Sequence, residues 1–162
     1  NELKELYFNK LNMETQINPN LENKKIKLDF KDSKYATGRR KKSIAKVWLK
    51  KGSGNIYVNG KKISDYFKKQ NLQIAIFRSL TLIKRENEFD VKCSVKGGGL
   101  SGQAGAIIHG LARAIVQFEP NLKSILKKEK LTTRDSRAVE RKKYGRRKAR
   151  RSFQMTSESW LK

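Results

Sequence analysis

Several residue types that mark common classes of protein are scarce in this chain. Only one cysteine, Cys93, occurs in 162 residues, which excludes an internal disulfide and any zinc site built from several cysteines. No run approaches the roughly 20 consecutive apolar residues of a membrane-spanning helix, and the first residues lack the pattern of a signal peptide. We therefore expect no membrane partner, and we expect Cys93 to pack as a small apolar residue on a strand.

Acidic residues are also scarce, with 15 Asp and Glu against 39 Lys and Arg and a net charge of +24. The excess is densest in Arg134–Arg151, where ten cations face only Asp135 and Glu140 and few apolar side chains occur. Such a segment repels itself until a polyanion neutralises it, which predicts an extended basic arm over residues 134–162 that binds nucleic acid. A membrane surface is the alternative partner, but the arm lacks the apolar helical face that a membrane requires.

The first 34 residues form a separate, nearly neutral N-terminal extension with seven Lys and six Asp or Glu. Leu3, Leu6, Tyr7 and Leu11 recur at helical spacing and predict a short amphipathic helix over residues 2–13. This helix has too little apolar surface to fold alone. A neighbouring protein is its preferred partner, and disorder is the alternative.

Residues 35–133 are predicted to form one globular domain of the α+β class. Alternating patterns predict strands at 43–50, 55–58 and 89–96, and apolar residues at helical spacing predict helices at 63–67, 72–80, 103–118 and 122–130. We interpret Lys51–Gly54 as the turn of a hairpin between the first two strands, and Asn59-Gly60 as a second turn. Ser101 is the expected N-cap of the third helix, and Leu122, Ile125 and Leu126 are expected to face inward on the last.

The segment Gly97–Gly102 matches the dinucleotide-binding pattern G-x-G-x-x-G between a strand and a helix. We reject a nucleotide site, because the strand before it alternates lysine with apolar residues and no suitable acidic residue follows about 20 positions later. Backbone N–H groups at the start of a helix still favour a phosphate, and here RNA is the expected source.

Catalysis has no candidate residues in this sequence. His109 is the only histidine, and it lies opposite the apolar stripe of its helix, where we expect a surface or RNA-facing side chain. No nucleophile motif or carboxylate pair accompanies it. We therefore predict a protein that is not an enzyme and holds no cofactor or metal.

Four strings occur in order and together closely resemble the S9 family of bacterial-type small-subunit ribosomal proteins over residues 35–155. They are YATGRRKKS from Tyr35, VKGGGLSGQAGA from Val95, LTTRDSR from Leu131 and ERKKYGRRKARR from Glu140. The resemblance implies a four-stranded sheet backed by helices, similar to the second domain of ribosomal protein S5. It also implies an arm that passes through the head of the small subunit toward the peptidyl-site tRNA, and neighbouring head proteins as partners.

On that resemblance, three segments contact ribosomal RNA: the basic cluster before the first predicted strand, the glycine loop and the arm. The residues concerned are Arg39, Arg40, Lys41, Lys42, Gly97, Gly98, Gly99, Ser101, Gln103, Arg134, Arg137, Arg141, Lys142, Lys143, Tyr144, Arg146, Arg147, Lys148, Arg150 and Arg151.

Two features refine the resemblance. The strings Val47–Lys50, Lys143–Gly145 and Arg151–Gln154 resemble the alphaproteobacterial branch, which favours a mitochondrial ribosome over a bacterial or plastid one. The tip departs from the family, because Glu158 stands where family members carry cations. Lys162 is the one tip residue expected near a tRNA phosphate. Two rival hypotheses remain: a free single-strand or chromatin-type binder, and a nucleotide-dependent enzyme built on the glycine loop.

Overall fold

The structure is a computed structural model that describes residues 30–154. Within this range the chain forms five strands and four α-helices, joined by turns and one 3-10 turn. The predicted helix at 2–13 and the tip residues 155–162 lie outside the described residues. The elements in chain order are β1 (Lys34–Arg40), β2 (Ser43–Lys51), β3 (Ile56–Val58), β4 (Lys61–Lys62), α1 (Ile63–Tyr66), α2 (Gln70–Leu82), β5 (Phe89–Lys96), α3 (Leu100–Phe118), a 3-10 turn (Pro120–Leu122) and α4 (Lys123–Lys128).

The α+β class is confirmed, but the expectation of a four-stranded sheet is wrong. The sheet has five strands in the order β1-β2-β5-β3-β4. Two of the five were not among the strands predicted from the sequence: the short β4, and β1, which pairs antiparallel with β2 from Lys34↔Leu49 to Arg40↔Ser43. Arg39 and Arg40 therefore belong to a strand rather than to a loop before the first strand. Alternation did not predict β1, because Gly38 occupies one of its inward positions.

The predicted hairpin between β2 and β3 is also wrong. β5 lies between them, antiparallel to β2 and parallel to β3, with Tyr57 opposite Lys92. Sequence alternation identifies strands but does not determine which of them pair. The turn at Asn59-Gly60 joins β3 to β4 instead. Both of its residues have positive φ, at 51° and 82°, as a two-residue hairpin turn requires.

α3 is the central helix and packs against β1 and β2. Its buried residues include Ile107, Leu111 and Ile115, and they meet the inward residues of the strands, among them Val47 and Cys93. Cys93 is buried as expected, and burial raises the pKa of its thiol to about 12. The strand residues between the inward ones, such as Lys46 and Lys50, are exposed. The sheet therefore has one face covered by α3 and one face without a covering helix among the described residues.

Two predictions about the helices need correction, one about the N-cap of α3 and one about the inward face of α4. The N-cap of α3 is Gly99, which has no side-chain cap hydrogen bond, while Ser101 lies inside the first turn. The helix begins earlier than expected because Gly97 and Gly98, both at positive φ, turn the chain sharply after β5. In the last helix Leu126 is buried as predicted, but Ile125 remains 44% exposed.

Candidate nucleic-acid interface

Three basic or glycine-rich segments that are distant in sequence meet beside the start of α3. They are the β1–β2 turn (Lys41 and Lys42), the glycine loop (Gly97–Gly99) and the arm root (Thr132–Arg137). A Cβ on Gly97 would lie 2.6 Å from the carbonyl oxygen of Lys42, so the turn and the loop touch through their backbones. Arg40 Nε lies 3.1 Å from Asp135 Oδ2, which holds the arm root beside them. We call this assembly the candidate interface.

The β1–β2 turn projects cations into solvent. Arg40 pairs with Ser43 across the two strands, so Lys41 and Lys42 form a two-residue connection, with Lys41 at a φ of 51°. Arg39, Lys41 and Lys42 are exposed. Arg40 differs, because its guanidinium reaches Asp135 and the carbonyl oxygen of Ser101, the latter at 3.5 Å. Arg40 thus makes internal contacts, and the other three cations face outward.

The glycine loop has a rigid half and an open half. Gly97 and Gly98 have φ values of 76° and 62°, which L side chains rarely adopt. The buried Ser43 hydroxyl donates to the carbonyl oxygen of Gly97 at 3.0 Å. Gly99 is different: its φ is −106°, and a Cβ there would have no neighbour within 4 Å. The first N–H groups of α3 lack intrahelical acceptors, so the open side at Gly99 suits an approaching anion.

Gln103 supports the loop from within. Its Nε2 donates to the carbonyl oxygen of Gly97 at 3.2 Å, and its Oε1 accepts from the Tyr66 hydroxyl at 2.8 Å. Asn59 reaches the same hydroxyl at 3.5 Å. Because both ends of the Gln103 amide already have protein partners, the structure gives this residue a positioning role toward the loop.

His109, which the sequence predicts as a surface or RNA-facing side chain, is half-buried and bonded to the backbone. Its Nδ1 accepts the backbone N–H of Arg39 at 3.2 Å, and it also forms a backbone hydrogen bond with Thr132. Burial, and then the charge of nearby Arg113, lowers the pKa of His109. Arg113 itself donates to the carbonyl oxygen of Thr37 at 2.8 Å. Together the two side chains satisfy outward backbone groups of the edge strand β1.

Both acidic residues of the described arm are paired with cations. Asp135 accepts from Arg137 and Arg40, and the hydrogen bonds from Arg137 contribute most to lowering the pKa of Asp135. Glu140 lies 2.6 Å from Lys143 Nζ and 2.9 Å from Arg150 Nε, and these contacts lower the pKa of Glu140. Each carboxylate therefore stays ionised and adjacent to cations, and the arm remains strongly basic between residues 134 and 154.

The outer part of the described arm bends rather than continuing straight. Gly145 has a φ of 69°, and the N–H of Arg147 donates to the carbonyl oxygen of Arg151 at 2.8 Å. Arg146 Nη1 donates to the Arg150 carbonyl oxygen and the Ser152 hydroxyl, at 2.8 and 3.0 Å. Tyr144 beside this bend is fully exposed. The bend brings Arg146 and Arg147 back to the backbone of Arg150 and Arg151.

The family comparison agrees with this geometry. The family described as ribosomal protein S9/S16 matches residues 38–157, which is more than half of the chain. The chain belongs to the ribosomal protein S9/S16 family. The match begins inside β1 and runs through the glycine loop and the described arm, so it includes every segment of the candidate interface.

S9/S16 membership confirms the resemblance found in the sequence and gives the coarse function. The protein is a small-subunit ribosomal protein that binds ribosomal RNA, and other ribosomal proteins are its partners. The family is structural and non-enzymatic. Within residues 30–154, no helix is long and apolar enough to cross a membrane, and no group of three or more His, Cys, Asp or Glu residues is placed to hold a metal ion.

Proposed function

We propose that this S9/S16 protein is a structural constituent of the small-subunit head of a mitochondrial ribosome and binds ribosomal RNA through the candidate interface. The observation that carries the proposal is the meeting of the β1–β2 turn, the open glycine loop and the arm root at the uncapped start of α3. Exposed cations and unsatisfied helix N–H groups then converge on one surface, which suits RNA phosphates.

The residues of the candidate interface divide into two roles. Arg40 and Gln103 position the surface, because Arg40 holds the arm root through Asp135 and Gln103 holds the loop through Gly97 and Tyr66. The exposed residues contact RNA, including the arm cations that pair with Asp135 and Glu140; phosphates bind the cations, and an unpaired base stacks on Tyr144. The proposed RNA contacts are Arg39, Lys41, Lys42, Gly99, Ser101, Arg134, Arg137, Arg141, Lys142, Lys143, Tyr144, Arg146, Arg147, Lys148, Arg150 and Arg151.

The proposed domain division is an extension at 1–34, a globular domain at 35–133 and an arm at 134–162. Its support is that β1 begins at Lys34 and that Leu131 still packs on the core, with its N–H bonded to the Leu126 carbonyl oxygen at 3.1 Å. Beyond Leu131 the chain has no helix or strand up to residue 154.

Two finer parts of the proposal rest on sequence. The alphaproteobacterial character of Val47–Lys50 and Arg151–Gln154 supports the mitochondrial assignment, with a bacterial or plastid ribosome as the alternative. The length and charge of the arm support its reach toward the peptidyl-site tRNA. Glu158 weakens this contact, so Lys162 is the proposed cation near tRNA.

A pair of double variants tests the candidate interface. In R39A/K42A two exposed cations are lost, while the backbone N–H that Arg39 donates to His109 remains. Binding to a ribosomal RNA head fragment should weaken, and the slope of log affinity against log salt should decrease in magnitude by about 1.4 to 1.8, at about 0.7–0.9 per phosphate contact. The matched control K127A/K128A removes two exposed lysines of α4 and should leave the slope unchanged. Equal slopes for both double variants would contradict the proposed interface.

A further inference from the structure

The face of the sheet opposite α3, which no described helix covers, carries an organised row of side chains. Paired residues of neighbouring strands lie on the same face of a sheet, and one residue of each strand enters this row. The strand pairings give Tyr35↔Trp48, Trp48↔Lys92, Lys92↔Tyr57 and Tyr57↔Lys62. At about 4.8 Å between strands the row is roughly 19 Å long. We call it the open-face row.

The rings of the row are accessible. Tyr35 is 42% exposed, and Trp48 and Tyr57 are half-buried. The Tyr35 and Trp48 rings lie 5.4 Å apart at an angle of 45°. The Phe30 ring lies 5.9 Å from Lys92 Nζ, in cation–π contact. Cross-strand packing accounts for the Tyr35–Trp48 contact, and the strand register places Tyr57 on the same face two strands from Trp48.

Cations flank the row on the same face. Lys46 and Lys50 lie two residues before and after Trp48 on β2, which places each about 7 Å from it along the strand, and both are exposed. Asp90 is the only acidic strand residue of the described sheet. Its Oδ1 accepts the backbone N–H groups of Ser53 and Asn55 at 3.0 and 2.9 Å. Asp90 lies directly opposite Lys50 on this face, and the other charged strand residues there are Lys or Arg. The face therefore combines aromatic rings with a net positive charge.

We propose that the open-face row is a second RNA-binding site, which stacks unpaired bases on Tyr35, Trp48 and Tyr57 while Lys46 and Lys50 contact the phosphates. Aromatic platforms edged by cations bind single-stranded nucleic acid in this way. Bases inside a duplex are already stacked and do not reach rings that lie low on a sheet. The site therefore selects single-stranded segments.

The open-face row and the candidate interface are centred at opposite ends of β2, and Arg39 lies on the same face as Tyr35 but about 13 Å further along β1. Trp48 is five residues along β2 from Ser43, which contacts the glycine loop, and this corresponds to about 17 Å. Only the ribosomal origin of the RNA depends on the proposed function. The stacking itself follows from the geometry of the sheet.

Tryptophan fluorescence of the full chain tests the site directly. The chain has two tryptophans, so the variant W160F leaves Trp48 as the only reporter. Decauridylate and decaadenylate should quench Trp48 emission, and a ten-base-pair RNA duplex should quench it much less. Binding at the arm alone would leave Trp48 emission unchanged, and this result would overturn the proposal.

A matched pair of variants at Tyr35 separates stacking from charge. In the W160F background, Y35A should weaken binding reported by Trp48 between about fivefold and about 150-fold, because one stacked base is lost. Y35F keeps the ring and should bind as the parent does. Circular dichroism verifies that both variants fold. Equal affinities for Y35A and Y35F would overturn the proposal.

The outcomes also distinguish this site from the candidate interface. If Y35A has no effect while R39A/K42A still reduces the salt slope, the open-face row fails and the proposed function stands. If residues 1–29 occupy the face instead, Trp48 will resist acrylamide quenching in free full-length protein and will not respond to RNA. That result would also overturn the proposal.

Discussion

At the scale of single residues, the glycine loop shows how neighbouring glycines have different roles. Gly98 is needed for its backbone conformation and for the space beside Ser43, since a Cβ would lie 2.2 Å from Ser43 Oγ. Gly99 has an ordinary φ and open space around it. Gly98 therefore maintains the fold, and Gly99 leaves room for a ligand.

Alanine at each position should separate these roles. G98A should lower the free energy of unfolding by about 1–3 kcal/mol, because the residue combines a left-handed φ with a close contact. G99A should change it by less than about 0.5 kcal/mol but should weaken binding to the ribosomal RNA fragment. Urea unfolding and RNA titration of both variants measure this. Equal destabilisation by the two substitutions would contradict the described loop geometry.

His109 predicts a pH dependence of stability. Its pKa in the folded protein is below the usual value, so the unfolded chain takes up the proton at higher pH. The free energy of unfolding should therefore be independent of His109 protonation above about pH 6.5, the usual pKa of histidine. It should decrease as the pH falls below that value. Urea unfolding at pH 7.0 and 5.5 should show this decrease in the parent and a smaller one in H109N. Identical decreases would show that another group is responsible.

At the scale of elements, β1 is the strand on which the candidate interface depends. Its inward Gly38 lies against the backbone of α3, and a Cβ there would lie 1.9 Å from the Ala106 carbonyl oxygen and 2.3 Å from the Gly110 nitrogen. The two elements thus approach more closely than a side chain permits. On the outer edge of β1, His109 and Arg113 satisfy backbone groups.

The substitution G38A should therefore separate β1 from α3. We expect a loss of about 1–3 kcal/mol in the free energy of unfolding, the usual cost of overpacking. Amide hydrogen exchange should also accelerate in β1 more than in β5, which lies at the centre of the sheet. An unchanged unfolding midpoint together with unchanged exchange in β1 would contradict the close approach.

The sequence predicts some elements well and others poorly, for physical reasons. β2, β5 and α3 were predicted because their buried faces follow a regular period of apolar residues. β1 was missed because its two inward residues are the small Ala36 and Gly38, and Gly38 makes its contact through the backbone, so no large apolar side chain marks the strand. Other features depend on contacts between residues far apart in sequence, which a local pattern does not reveal. These are the pairing of β3 with β5 and the internal partners of Arg40, Gln103 and His109.

At the scale of the whole molecule, positive charge is divided between a folded body and an arm. The body holds the arm root through Arg40, Asp135 and His109, so the arm leaves from the same surface as the β1–β2 turn. Beyond residue 137 the described arm contacts mainly itself, through Glu140 and the bend at Gly145. The arm is therefore attached to the body at one defined place and extends its cations toward RNA from there.

Replacing the five cations Arg146, Arg147, Lys148, Arg150 and Arg151 by alanine measures the contribution of the arm. The slope of log affinity against log salt should decrease in magnitude by up to roughly 4, at about 0.7–0.9 per phosphate contact. The unfolding midpoint of the globular domain should not change. An unchanged slope would show that the arm faces solvent in the complex.

The central claim is that this S9/S16 protein is a fixed constituent of the small subunit. Sucrose-gradient sedimentation of a native cell extract, followed by quantitative mass spectrometry of each fraction, tests it most directly. We predict that the protein co-sediments with the small subunit at one copy per particle and remains there at moderate salt. Sedimentation with free protein, or a variable ratio to ribosomal RNA, would contradict the account and would favour a free nucleic-acid binder.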